Sequence, residues 1–154
     1  MTKGVRWGPF MIAVDTNILV YAHRPDMPAH SRCRSAIEHL VRSGSRFVLP
    51  WPCLHEFIDV VTNPRIFARP TSTDEAIAFL ADFSSLPQVQ FLSETTRHVE
   101  ILTGLLTASS IAGPRIHDAR IAAICLGHGV SELWTADRDF SYFPRLKTRN
   151  PVAT

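Results

Sequence analysis

A chain of 154 residues, 45% hydrophobic and 19% charged, can bury one sizeable core and is too short for two ordinary domains. That composition excludes a disordered polymer, and every apolar run falls well short of the roughly 20 residues needed to cross a bilayer. A net charge of +2 gives no gross attraction to nucleic acid, so any such binding has to come from local basic patches.

The opening MTKGVRWGPF has a Lys and an Arg but no apolar core of a signal peptide, and it reads as a flexible extension over residues 1–10. Patterned sequence starts at Met11, itself an alternative start, and runs to about residue 150 as a single domain. Residues 11–14 form a short buried strand, and NILVYAH continues as a helical turn before Pro25 and Pro28 break the chain. In AHSRCRSAIEHLVRSG, Cys33, Ile37, Leu40 and Val41 share one helical face, and Gly44 ends the helix. RFVLP is a second strand. CLHEFIDVVTNP is a helix with a stripe of Leu54, Phe57, Ile58 and Val61, stopped by Asn63-Pro64.

Ser72 with Glu75 three residues on marks a helix start of the capping-box type. VQFL is a third strand, TTRHVEILTGLLTAS a further helix, and HDARIAAICLGHG another, closed by Gly127 or Gly129. ELWTA (132–136) is a fourth strand, and FPRLKTRNP supplies a last edge strand. Strands alternate with helices and no Asn-Gly or Asp-Gly hairpin signal appears. The expected fold class is α/β, a three-layer α/β/α domain with a central, mainly parallel sheet. Cys33, Cys53 and Cys125 are odd in number and lack CxxC spacing, so they read as buried reduced thiols of a cytoplasmic protein.

This layout gathers the acidic residues. In open parallel sheets, ligands bind beyond the carboxyl ends of the strands. Asp15 follows the first strand, Glu56 lies near the start of the helix after the second, and Asp118 opens a later helix. Asp137 follows the fourth strand, with Asp139 two residues on. Each alone has a plain explanation: Asp15 and Asp118 as helix caps, Glu56 as a solvated charge, TADRDF as a polar turn. Together they form a repelling cluster that a fold retains only if something offsets the repulsion. A divalent cation does so, and oxygen-only ligands favour Mg2+ or Mn2+. The chemistry this implies is phosphodiester hydrolysis.

The fragments VDTNILVYA, LHEFIDVVTNPRIF, IHDARIAAICLGHGV and LWTADRDF, in this order and spacing, resemble PIN-domain ribonucleases of the kind that forms the toxin half of VapBC toxin–antitoxin pairs. The resemblance spans Met11 to about Phe143. It implies catalytic, metal-binding carboxylates at Asp15, Glu56, Asp118 and Asp137, with Asp139 assisting, and polar orienting residues at Thr16, Asn17 and Thr135. It implies a Mg2+- or Mn2+-dependent endoribonuclease that cuts structured RNA, often tRNA or rRNA, and slows translation. It further implies a VapB-type antitoxin that blocks the acidic site, and a homodimer whose helix pair over roughly 52–84 helps form the partner surfaces.

RNA brings phosphates, so cations are needed nearby. Arg115, Arg120 and Arg138 adjoin the acidic motifs, while Arg145, Lys147 and Arg149 read as solvated charge. His55 and His117 precede proposed ligands and are expected to face away; Trp51 and Trp134 are expected in the core. A haloacid-dehalogenase phosphatase needs an acid where Asn17 stands, and a receiver domain needs an acidic pair and a lysine that are absent here. The alternative that survives is a catalytically inactive PIN-fold RNA-binding or scaffold protein.

Overall fold

The computed structural model describes residues 10–153. The extension expected over 1–10 therefore lies, apart from Phe10, outside the described residues. Five strands form one sheet in the order β3-β2-β1-β4-β5, with every pairing parallel. They are β1 (Met11–Val14), β2 (Arg46–Pro50), β3 (Val89–Leu92), β4 (Glu132–Trp134) and β5 (Thr148–Arg149). Six helices flank them: α1 (Thr16–His23), α2 (His30–Arg42), α3 (Trp51–Thr62), α4 (Thr73–Ser84), α5 (His98–Ser109) and α6 (Ile116–Gly127).

Period-two alternation in the strands divides the core. Ile12, Val14, Phe47 and Leu49 face one way and pack with residues of α1 to α4. Ala13, Val48 and Leu133 face the other way and pack with residues of α5 and α6. Strands buried on both faces are what a parallel sheet with helices above and below requires. Cys33, Cys53 and Cys125 are free and buried.

Local signals explain the helix ends. Ser72 Oγ accepts the Glu75 amide at 3.2 Å, capping α4. Gly44, at φ 72°, takes the left-handed conformation that stops α2 after Arg42. Three expectations need correction. The fourth strand stops at Trp134, because Thr135 and Ala136 turn away to build the site described below. Helix α3 begins at Trp51 with Pro52 in its first turn, so Glu56 stands in the second turn. Trp51 is not core: it is 42% exposed, with its ring 4.7 Å from Phe91 and 6.3 Å from His55. Trp134 is buried as expected. Among the described residues no helix is long and apolar enough to cross a membrane.

Candidate active site

The order β3-β2-β1-β4-β5 reverses direction between β1 and β4, and a crevice opens at the carboxyl ends of strands at such a point. Asp15 leaves β1 there, and its amide donates to the Trp134 carbonyl at 2.9 Å, tying it to the end of β4. Its carboxylate is 5% exposed and collects four donors. Oδ1 accepts the Thr16 amide at 2.8 Å and the Cys53 thiol at 3.7 Å. Oδ2 accepts the Thr135 hydroxyl at 2.7 Å and the Asn17 amide at 3.2 Å. Burial pushes the Asp15 carboxyl above its ordinary range, against the lowering effect of the Thr135 and Thr16 hydrogen bonds.

Thr135 is the hub. Besides donating to Asp15, its hydroxyl accepts the Asp137 amide at 3.0 Å. Asn17 Oδ1 accepts the Ala136 amide at 3.0 Å, so β1 and β4 are cross-braced just beyond the sheet. Asp137 Oδ1 in turn accepts the Asp139 amide at 2.8 Å and starts a 3-10 helix, Arg138–Tyr142. On the other side, the Thr16 hydroxyl donates to Glu56 Oε2 at 3.0 Å. Thr16, Asn17 and Thr135 each donate a hydrogen bond to a carboxylate.

One carboxylate oxygen from each of Asp118, Asp137 and Asp139 lies within 4.8 Å of the other two. Asp118 is not a cap: it sits third in α6, with Arg115 at the cap position. Its carboxyl is pushed up to about 6, first by burial, then by the negative charges of Asp137, Asp15, Asp139 and Glu56. All five carboxylates read from the sequence therefore converge. Asp139 joins the tight trio, and Asp15, held by its four donors, lines one cleft with Glu56, Asp118 and Asp137. An oxygen-only, mutually repelling, half-buried donor set fits a hard divalent cation.

Three clefts meet at Asp118. One of about 270 Å3 is lined by Asp15, Glu56, Asp118 and Asp137 on one wall and by Met27, Ile66 and Phe67 on the other. A second, of about 400 Å3, is lined by His55, Glu56, His117 and Asp118, so the two histidines are exposed but border the carboxylates rather than facing away. A third, of about 550 Å3, is lined by Arg115, Asp118, Asp139 and Tyr142. Of the basic residues, Arg120 is paired with Glu94 at 2.6 Å and Lys147 with Glu132 at 3.5 Å. Arg138, Arg145 and Arg149 are exposed, and among the described residues they form no ion pair. Tyr142, and the bond from the Cys53 thiol to Asp15, went unread in the sequence. Only the 3-10 geometry, which sets Asp139 and Tyr142 on one face at i and i+3, brings that tyrosine to the site.

The fold and its acidic edge define a PIN domain: the model of the PIN domain family matches residues 12–146, and the chain belongs to that family. Two relatives are each 37% identical over 92% of this chain and 96% of their own length: VapC ribonuclease Mb2897 of Mycobacterium bovis and Ribonuclease VapC43 of Mycobacterium tuberculosis. The fold is shared with VapBC2 from Rickettsia felis, solved with a DNA fragment from its promoter, at TM-score 0.70 and 19% identity over 92% of this chain and 98% of that one. It is also shared with VapC20 of Mycobacterium tuberculosis, a sarcin-ricin-loop-cleaving toxin, at TM-score 0.61 and 18% identity over 84% of this chain and 92% of that one.

Proposed function

We propose that this chain is a metal-dependent endoribonuclease, the toxin of a type II toxin–antitoxin pair, which acts in the cytoplasm and slows translation by cutting structured RNA such as tRNA or rRNA. The observation that carries this reading is the convergence of Asp15, Glu56, Asp118, Asp137 and Asp139 on the switch point of the sheet, where each raises the proton affinity of Asp118 or touches its neighbours. The names of the curated relatives support the ribonuclease activity, and free buried cysteines fit a reducing compartment.

Asp15, Glu56, Asp118 and Asp137 are the residues that would hold Mg2+ or Mn2+, with Asp139, whose carboxylate lies within 4.8 Å of those of Asp118 and Asp137, assisting. Such a cation, held by these carboxylates, would supply Lewis acidity to a water and charge to offset that of the phosphate. The chain's own part is positional. Asp15 is clamped by Thr16, Asn17, Thr135 and Cys53 and fixes the carboxyl ends of β1 and β4 relative to each other. Glu56 has Oε2 engaged by Thr16 and lines a common cleft with Asp118. Exposed arginines, Arg138 and Arg115 foremost, supply the charge that lets RNA approach an acidic centre.

The antitoxin and a second copy of the toxin are assigned to the α3–α4 side. An apolar groove of about 540 Å3 between α2 and α4, lined by Ile37, Val41, Phe79 and Phe83, supports a protein partner there. The test uses total cellular RNA, purified protein, Mg2+ or Mn2+, an EDTA control and Asp118→Asn as the matched blank. Discrete new RNA ends that require both metal and Asp118 are expected. A folded, antitoxin-free protein that gives no such ends overturns the nuclease reading in favour of an inactive RNA-binding PIN domain.

A further inference from the structure

We propose that the cleft between Arg115 and Tyr142 is a base-stacking subsite that seats one unpaired nucleotide of a single-stranded RNA segment beside the acidic trio. The inference rests on the nuclease reading above and adds to it the residues that grip the strand. Tyr142 is 40% exposed, although aromatic rings of its size are usually covered. The guanidinium of Arg115 lies 4.3 Å from the centre of its ring, forming a flat cation–aromatic pair at the cleft wall. Asp118 and Asp139 line the same space of about 550 Å3, so a strand whose phosphate reaches the trio has its neighbouring base within it. That volume lies within the range of small-molecule sites, about 300–1,000 Å3.

The pair is held in place from outside. Ser109 Oγ, at the end of α5, donates to the Tyr142 carbonyl at 2.8 Å, so the segment bearing Tyr142 is tied to a helix on the far rim. This tether uses the backbone of Tyr142 and leaves its ring free. Arg115 is also the available cation. Arg120 is neutralised by Glu94, and Arg138 lines none of the three clefts that Asp118 borders. Among the described residues Arg115 has no ion pair. Aromatic rings and guanidinium planes are the two surfaces on which proteins stack unpaired bases, and the guanidinium edge also meets phosphate.

The experiment measures fluorescence anisotropy of labelled oligouridylate, oligoadenylate and oligocytidylate with the full chain in an Asp118→Asn background, so that cleavage does not intervene. Tyr142→Ala and Arg115→Ala are each expected to weaken binding roughly 5- to 150-fold, the loss of one stacked base. Tyr142→Phe keeps the ring and is expected to bind as the parent does. Arg115→Lys keeps the charge but not the plane, and is expected to recover only part of the loss. Mn2+ binding with Asp118 restored should be unchanged in both alanine variants, which separates loss of the subsite from damage to the trio. Wild-type RNA affinity in both alanine variants, or equal losses in Tyr142→Phe and Tyr142→Ala, would overturn the subsite. Failure of the wild type to cut RNA sinks the nuclease reading instead, because this assay reads binding alone.

Discussion

Thr135 does the most with the fewest atoms. Its hydroxyl donates to the Asp15 carboxylate and accepts the Asp137 amide, so one oxygen ties the end of β1 to the backbone that carries Asp137. Thr135→Val keeps the shape and removes that oxygen. We expect a loss of about 1–3 kcal/mol in urea unfolding from the polar groups left unpaired, with RNA cleavage down about 10–100-fold, as for other supports of metal ligands. Full activity in the valine variant would assign the hub to stability alone. Asp118 gives the opposite sign. Its carboxyl ionises near 6 in the folded protein, against 3.8 ordinarily. Below the ordinary value both states hold the proton and nothing is lost. As pH rises from about 4 to 6 the unfolded chain releases its proton first, and stability falls. A shift of this size is worth ~3 kcal/mol in full, and solvent screening at a half-buried position reduces it to about 1 kcal/mol. In EDTA, Asp118→Asn should therefore be more stable than wild type at pH 7, with the gap closing towards pH 4. A gap that is constant with pH contradicts the repulsion argument.

Among the elements, the two connections flanking the acidic cleft are joined by Arg24. Its guanidinium pairs with Asp26 at 2.6 Å, donates to the Arg69 carbonyl at 2.8 Å and lies 4.0 Å from the Phe67 ring centre. One connection carries Met27 and the other Ile66 and Phe67, the apolar wall facing Asp15 and Glu56. Arg24→Met should lower stability by about 1–3 kcal/mol through the unsatisfied Arg69 carbonyl, read by urea unfolding; an unchanged midpoint would show that the connections hold without it. What the sequence made legible follows the same division. The boundaries 46–50 and 89–92 match the strands found, because short apolar runs bounded by helix signals leave little choice. The carboxylates were legible because strand ends in an alternating α/β pattern point to one edge. Trp51 was misread because burial of a helix-start aromatic depends on what covers β3, which lies at the sheet edge. The pairing of Arg120 with Glu94 was not legible because the partner is 26 residues away, and Tyr142 went unread because only the 3-10 turn brings it to Asp139.

Across the whole molecule, negative charge is concentrated. Five of the 14 acidic residues share one edge of the sheet, with the exposed Arg115 and Arg138 beside them in the chain. A modest net charge of +2 thus conceals a local acidic centre, and RNA affinity should fall as salt rises. Binding measured in Asp118→Asn at two salt concentrations checks this, and salt-independent binding would argue against a phosphate-led encounter. The centre itself is the central claim: a repelling set of carboxylates kept together because a divalent cation neutralises it. The measurement that tests it most directly is titration of the metal-free protein with Mn2+, followed by electron paramagnetic resonance, for wild type and Asp118→Asn. Saturable binding by wild type that Asp118→Asn weakens by an order of magnitude or more is the expected result. Equal binding by both proteins, or none by either, would contradict it.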